Sequence, residues 1–211
     1  LLAGIGPVIA WRRATAANLW RTFRIPVGVL AVTLVVLLAT GAGEHPAALV
    51  MFCCAAFVLA AVGQEFWNGT RARRAMILDA CRAELEHSGY AGLTVRAVAE
   101  RASVSQETVY KSFGGKHELV KALYDVTLAG DDRPVPMAER PEVRDLLGAT
   151  DPAVTVAGYA RLARRISERV GVIVAALSAG GAEAAAIIGE TEAERFVGVT
   201  AFVRHVESTG R

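Results

Sequence analysis

Cysteine is scarce in this sequence, and the arrangements that build a catalytic or metal site are missing. The three cysteines, Cys53, Cys54 and Cys81, show neither metal-ligand spacing nor a disulfide framework. The four histidines are scattered, and no phosphate-binding loop or nucleophile–base arrangement occurs. Each cysteine falls in an apolar pattern, where a thiol packs as a small hydrophobe. We therefore expect a binding protein that is not an enzyme and uses no metal and no cofactor.

Charge is absent from two stretches of the N-terminal third. Residues 25–43 and 46–63 contain no Asp, Glu, Lys or Arg, and each approaches the length of a helix that crosses a bilayer. Both stretches are apolar on all faces, which favours membrane spans over a buried core hairpin, the alternative at this length. We predict transmembrane helices over about 25–43 and 46–66. Because the chain begins with Leu, we expect a fragment.

Arginines flank this hairpin on both outer sides, whereas Glu44 and His45 lie between the two runs. The flanking residues are Arg12, Arg13, Arg21, Arg24, Arg71, Arg73 and Arg74. By the positive-inside rule both ends of the hairpin are cytoplasmic, and Trp20 and Trp67 sit where indole rings prefer the interface. We expect residues 1–70 to bind the lipid bilayer through residues 25–66 and to tether the chain to the inner membrane.

The charge is distributed unevenly along the chain. The net charge is +2 up to residue 70, +3 over residues 71–124 and −3 from residue 125 onward. The positive excess in the middle segment is modest, but it is of the sign that phosphate binding requires. The middle segment is therefore the candidate for contact with nucleic acid.

Residues 94–113, TVRAVAERASVSQETVYKSF, predict two short helices joined by a tight turn. Thr94 and Ser105 are N-cap residues for the two helices. Val109 and Phe113 point inward, one turn apart in the second helix. The side chains left facing outward, which suit the base edges and phosphates of the DNA major groove, are Gln106, Thr108, Tyr110 and Lys111.

At these residues the chain resembles the TetR/AcrR-type transcriptional regulators. The motifs that carry the resemblance are the Gly89-Tyr90 break, T-V-R-A-V-A-E-R-A, V-S-x-x-T-V-Y and F-G-G-K-x-E-L within residues 74–124. The chain departs from the family at Ser103, where the turn usually has Gly, and at Ser112, where His usually precedes the Phe. The resemblance covers residues 72–211 and implies an all-α fold with a ligand-responsive repressor function.

The resemblance also implies particular roles at the double-stranded DNA operator. Thr94 and Lys116 resemble phosphate contacts, and Gln106 and Thr108 would reach base edges. Tyr110, Lys111 and Ser112 would touch phosphates or groove walls. The full set of expected DNA-binding residues is Thr94, Ser105, Gln106, Thr108, Tyr110, Lys111, Ser112 and Lys116. We place the helix-turn-helix domain at residues 71–124, with its first helix over about 73–87.

The remaining residues, 125–211, predict a helical C-terminal domain. The pattern indicates a helix to about Leu128, a loop over residues 130–141, a helix from Asp151-Pro152 to about Ala179, and a last helix over about 182–206. Family members use such helices for an effector pocket and a homodimer interface. Residues that could line a pocket for a small-molecule effector, or equally form core, are Tyr159, Leu162, Ile166 and Phe196. The family usually continues with further helices, so we expect an incomplete domain with impaired dimerisation.

The first 75 residues resemble the late membrane segments of the CcmF-type haem lyase of bacterial cytochrome c maturation. G-I-G-P, the basic run after it and Q-E-F-W carry this resemblance. The paired haem-ligating histidines of that family have no counterpart, since His45 is the sole histidine there. Three interpretations stay open: a membrane-tethered regulator, a membrane fragment from cytochrome c-type biogenesis, and an artefactual fusion of two truncated proteins.

Overall fold

The computed structural model describes residues 16–41 and 45–209, which form helices joined by turns and loops and contain no strand in those ranges. The expected all-α class is confirmed. The chain divides into two compact units, Leu1–Arg73 and Arg74–Arg211. The first fifteen residues, including Arg12, Arg13 and the G-I-G-P motif, lie outside the described residues. The division at residues 70 and 124 expected from the sequence stays a prediction.

The first unit contains α1 (Ala16–Ala39) and the N-terminal part of α2 (Pro46–Gly92). The two helices touch through the stacked rings of Phe23 and Phe57, whose centroids are 6.2 Å apart. Pro26 and Cys53 are buried, whereas most other apolar side chains of the unit face outward. The unit therefore has a small contact between its two helices and an apolar outer surface.

One helix within the described ranges, α2, is long and apolar enough to cross a membrane, and only 6% of its most apolar window is buried. That exposure is not the environment of a buried core helix, the alternative for this run. The apolar part of α1, Phe23–Ala39, is shorter. The expectation of two spans is thus corrected to one helix of sufficient length, because α1 ends at Ala39 rather than at residue 43.

The second unit starts inside α2, and here the sequence expectation was wrong. A separate first helix was expected over about 73–87, but residues 64–72 contain no proline and continue the helix from Pro46. Gly89 was expected to end this helix in left-handed geometry. A break at Gly89 is present: two helical stretches of α2 meet there at a kink, and the positive φ of 65° agrees with the expectation, whereas ψ 177° differs from left-handed geometry and is essentially reserved for glycine.

Three short helices follow: α3 (Val95–Arg101), α4 (Gln106–Phe113) and α5 (Lys116–Ala129). Thr94 and Ser105 cap α3 and α4 as predicted. Gly114 has φ 99° in the turn between α4 and α5, a value that a residue with a Cβ rarely adopts. The turns are short, so the three helices are forced to cross closely.

Beyond α5 come a 3-10 turn (Met137–Glu139), α6 (Pro141–Leu147), α7 (Pro152–Ser178) and α8 (Gly181–Thr209). The predicted Asp151 cap is confirmed, since its carboxylate accepts from the Ala153 amide at 2.8 Å. Helix α6 was not predicted. Val156 is exposed, because α7 at this level has only one covered side.

One core is shared by the elements of the second unit. Side chains from α2 to α5 meet others from α7 and α8, and the largest fully buried ones are Ile77, Leu85, Leu93, Leu119, Ile173, Leu177 and Ile187. Cys81 belongs to this core, and burial raises the pKa of its thiol to about 12. The predicted packing role of Cys81 is confirmed, because the thiol stays neutral and surrounded by apolar groups.

The turn between α3 and α4 contains a strained residue that yields a stability prediction. Ser103 has φ 53°, and within the described residues it is the non-glycine residue with positive φ. Left-handed geometry costs an L-residue roughly 1–2 kcal/mol relative to the usual regions. We expect Ser103→Gly to raise the free energy of unfolding by about 1 kcal/mol in urea denaturation.

A matched control is Ser167→Gly, at an exposed position inside α7. Glycine there should lower the free energy of unfolding by about 0.5 kcal/mol, because the helix interior disfavours it. A Ser103→Gly protein no more stable than the parent would show that the turn carries no such strain.

Candidate nucleic-acid interface

Helix α4 is attached to the second unit along one side. Val109 is its one buried side chain, and Phe113 is half-buried against the core. The guanidinium of Arg74 lies 4.5 Å from the Phe113 ring centroid, and its Nε donates to Asp132 at 2.8 Å. Arg74, a residue of α2, therefore fixes the C-terminal end of α4 through Phe113, and its bond to Asp132 connects it to the loop after α5.

Side-chain caps fix the start of α3 and of α4. The Thr94 hydroxyl accepts from the Ala97 amide at 3.1 Å. The Ser105 hydroxyl accepts from the Thr108 amide at 3.1 Å, and the two hydroxyl oxygens of this pair lie 2.9 Å apart. The Thr94 cap gives the Ala97 amide an acceptor, and the Ser105 cap adds a side-chain acceptor to the Thr108 amide, which also donates to the Ser105 carbonyl at 3.0 Å. The hydroxyl of Thr108 is thereby engaged within the turn.

The opposite side of α4 is a convex polar surface. Gln106, Glu107, Lys111 and Ser112 are exposed, and Tyr110 is 51% exposed. Lys111 Nζ lies 2.7 Å from Glu107 Oε1, one helical turn away. The helix therefore presents an amide, a phenol, a hydroxyl and an acid–base pair on one short cylinder, a size that a major groove admits.

Lys116 lies at the first position of α5, beside this surface. Its Nζ sits 4.2 Å from the ring centroid of Tyr90, a cation–π distance. The ring is buried, and burial, followed by the charges of Glu183 and Glu118, raises the pKa of Tyr90. A buried neutral ring thus holds the Lys116 ammonium at the start of α5, and its contact with a phosphate stays a prediction.

Polar contacts join α5 to α8 along one edge. His117 Nε2 lies 3.2 Å from Glu190 Oε1, and Lys121 Nζ donates to Glu194 at 3.2 Å and to Asp125 at 2.7 Å. Desolvation alone would lower the pKa of Lys121, but the hydrogen bonds from Asp125 and Glu194 outweigh it and the pKa is raised. The ammonium therefore stays charged in a half-covered position.

The residues expected to line an effector pocket are not brought together in one enclosed place. Leu162 is buried, Ile166 is half-buried, and Tyr159 stacks on Phe202 with centroids 4.0 Å apart. Phe196 is 72% exposed and belongs to the surface of α8. Phe196 does not line a pocket, because it lies in a stretch of α8 where no side chain is covered. Phe202 was the aromatic that sequence reasoning missed.

Two residues of the interface were absent from the sequence prediction. Glu107 was not among the expected DNA-binding residues, yet it lies on the exposed face with Lys111. Arg74 was assigned to the membrane flank, whereas it supports α4 through Phe113 and Asp132. Spacing signals the Glu107–Lys111 pair at i, i+4, but no sequence signal links Arg74 to Asp132 across the chain.

The capped pair of short helices with an outward polar second helix defines a helix-turn-helix unit. No group of His, Cys, Asp or Glu suited to a metal ion occurs within the residues that the structure describes. Residues 77–123 match the family model of bacterial regulatory proteins of the tetR family. The TetR-type resemblance is confirmed for this segment.

Two curated relatives share this similarity over a limited length. The HTH-type transcriptional repressor KstR of Rhodococcus jostii (strain RHA1) is 47% identical over 57 residues, 26% of this chain and 27% of the relative. KstR of Mycolicibacterium smegmatis (strain ATCC 700084 / mc(2)155) is 50% identical over 54 residues, 25% and 26% of the two chains. The matches thus span about a quarter of each relative's length.

No solved structure gave a significant match to the chain. The comparisons give no support to the CcmF-type resemblance of residues 1–75. Assignment to cytochrome c-type biogenesis accordingly has no finding behind it beyond the sequence motifs themselves.

The cap at Ser105 yields the prediction of this section. Ser105→Ala removes the side-chain acceptor of the Thr108 amide, which keeps only the Ser105 carbonyl at 3.0 Å, and we expect a loss of about 1 kcal/mol in the free energy of unfolding. Ser105→Asp keeps an acceptor at the cap and should stay within about 0.5 kcal/mol of the parent. Equal stability of the alanine and aspartate variants in thermal unfolding would contradict the capping role.

Proposed function

We propose that the second unit is a DNA-binding transcriptional repressor of TetR type, with α4 as its recognition helix in the major groove. The observation that carries the proposal is the uncovered polar face of α4, held by Val109 and by the Ser105 cap. The family match at residues 77–123 supports it. Both curated relatives are named transcriptional repressors, which favours repression over activation.

The contacts with DNA divide into two kinds. Gln106 and Thr108 lie at the N-terminal end of α4 and would meet base edges, with Ser105 fixing their position. Tyr110, Lys111 and Ser112 lie further along and would meet phosphates or groove walls. Thr94 and Lys116 begin α3 and α5, so that a helix N-terminus and a cation flank the recognition helix at the level of the sugar–phosphate backbone.

Regulation by a small molecule and assembly into a homodimer are part of the proposal. A dimer would place two α4 helices on two half-sites of an operator. The exposed apolar side chains of α8, including Phe196 and Val197, are compatible with coverage by another helix. Tyr159, Leu162 and Ile166 remain the residues that an effector between α7 and α8 would meet.

We further propose that the first unit tethers the repressor to the cytoplasmic membrane. The support is the apolar window of α2, which is almost entirely uncovered. Arg71 and Trp67 follow this window, with the guanidinium 5.6 Å from the indole centroid. Such a pair suits the boundary between acyl chains and cytoplasm.

The DNA-binding roles are tested by removing the two side chains outside the caps. Tyr110→Ala and Lys116→Ala should each weaken binding to operator DNA, and the double variant by roughly tenfold or more. Lys116→Ala should also reduce the slope of log affinity against log salt by about 1, because one phosphate contact is lost. Fluorescence anisotropy at several salt concentrations measures both quantities.

The control for this experiment is Arg164→Ala. Arg164 is an exposed cation of α7 paired with Glu168, outside the helix-turn-helix unit. Its removal lowers the net charge by the same amount as Lys116→Ala but should leave the salt slope unchanged. Unaltered operator affinity in the Tyr110 and Lys116 double variant would exclude these roles.

The tether is tested by fractionation of cells that express the full chain. The protein should sediment with membranes and be released by detergent but not by high salt. Leu59→Arg should move protein to the soluble fraction, because Leu59 is exposed in the apolar window and a central arginine costs roughly 3 kcal/mol to insert. Thr70→Arg lies beyond the window and serves as the control. A wholly soluble parent protein would rule the tether out.

A further inference from the structure

The recognition helix carries a carboxylate that the repressor function does not explain. Glu107 and Lys111 form an ion pair of 2.7 Å on the exposed side of α4, with side chains 73% and 75% exposed. An exposed pair of this kind contributes little to stability, roughly 0.5 kcal/mol or less. Its position, rather than its contribution to folding, is what calls for an explanation.

A carboxylate that enters a DNA groove is repelled by phosphates unless it meets a hydrogen-bond donor. The donors on base edges in the major groove are the amino groups of cytosine and adenine. Lys111 accompanies Glu107 into the same groove, so the base pair must also offer an acceptor beside its donor. Both Watson–Crick pairs offer an acceptor beside a donor, and they differ in the groups that surround the acceptor.

In a C·G pair the cytosine amino group lies next to guanine O6, and guanine N7 adds a second acceptor on the same edge. An ammonium beside the carboxylate can therefore bind O6 and N7 together. In a T·A pair the adenine amino group lies between two acceptors, adenine N7 and thymine O4, so one ammonium can reach only one of them at a time, and the thymine methyl group flanks O4. That methyl group gives a hydrated ammonium no partner.

We propose that Glu107 and Lys111 together read one C·G base pair of the operator, Glu107 accepting from the cytosine amino group and Lys111 donating to guanine. This inference rests on the proposed function, and it replaces the phosphate or groove-wall contact given there to Lys111 with a contact to a base edge. The ion pair opens from a direct contact into two contacts on one base pair, so its charges stay neutralised throughout. Glu107 is thus a specificity-determining residue, and it sets which strand carries the cytosine.

The experiment selects sequences from a random duplex DNA library with the full chain in detergent micelles. The parent should enrich a motif with a C·G pair, preferred at least roughly fivefold over the alternatives at one position. Glu107→Gln should lose that preference and shift the same position toward A·T, because an amide suits adenine. Lys111→Met should weaken the preference at that position and leave the others unchanged.

The matched control is Glu168→Gln, which breaks an equally exposed i, i+4 pair with Arg164 on α7 and should select the parent motif. If Glu107→Gln selects the parent motif unchanged, or the affected position is not C·G in the parent, the inference is overturned while the repressor function stands. If the parent enriches no motif at all, both are overturned.

Discussion

An eight-residue helix cannot persist in water by itself, since isolated helices shorter than about 12–15 residues are marginal. Helix α4 is of this length, and it buries a single side chain, Val109. Its shape therefore depends on the Ser105 cap at one end and on the Phe113 ring at the other. Because Arg74 stacks on Phe113 and pairs with Asp132, the recognition surface is only as fixed as these few contacts.

The long helices α7 and α8 act on this surface through α5. Lys116 begins α5 and packs against the buried Tyr90 ring. Further along α5, His117 contacts Glu190 and Lys121 contacts Glu194, both on α8. A displacement of α8 along α5 would exchange these partners and shift the start of α5, where the phosphate-facing cation lies. Side chains about one helical turn apart on α5 thus link helices outside the family match to the side that is proposed to face DNA.

Local signals in the sequence predicted the helix-turn-helix well. Caps, a buried one-turn pair and a positive-φ turn act within a few residues, and Thr94, Ser105, Val109 and Ser103 follow them. The continuity of α2 escaped prediction because residues 64–72 contain Asn68-Gly69, a dipeptide typical of turns, and the helix runs through it. Phe196 was named as a possible pocket residue, but an apolar residue on a helix does not by itself show whether another helix covers it.

The electrostatics of the DNA-facing side follow from how its cations are occupied. Lys111 is paired with Glu107 and Lys116 lies on Tyr90, so neither ammonium is simply exposed before DNA arrives. When a lysine paired with a carboxylate binds a phosphate, the carboxylate loses its partner and needs a new cation. The net release of counterions is therefore smaller than for an unpaired lysine. A lysine that stacks on an aromatic ring leaves no unpaired charge behind when it binds a phosphate, because the ring is neutral. On the proposed contacts, nonspecific attraction therefore depends more on Lys116, and discrimination between sequences depends on the base pair that Glu107 and Lys111 share.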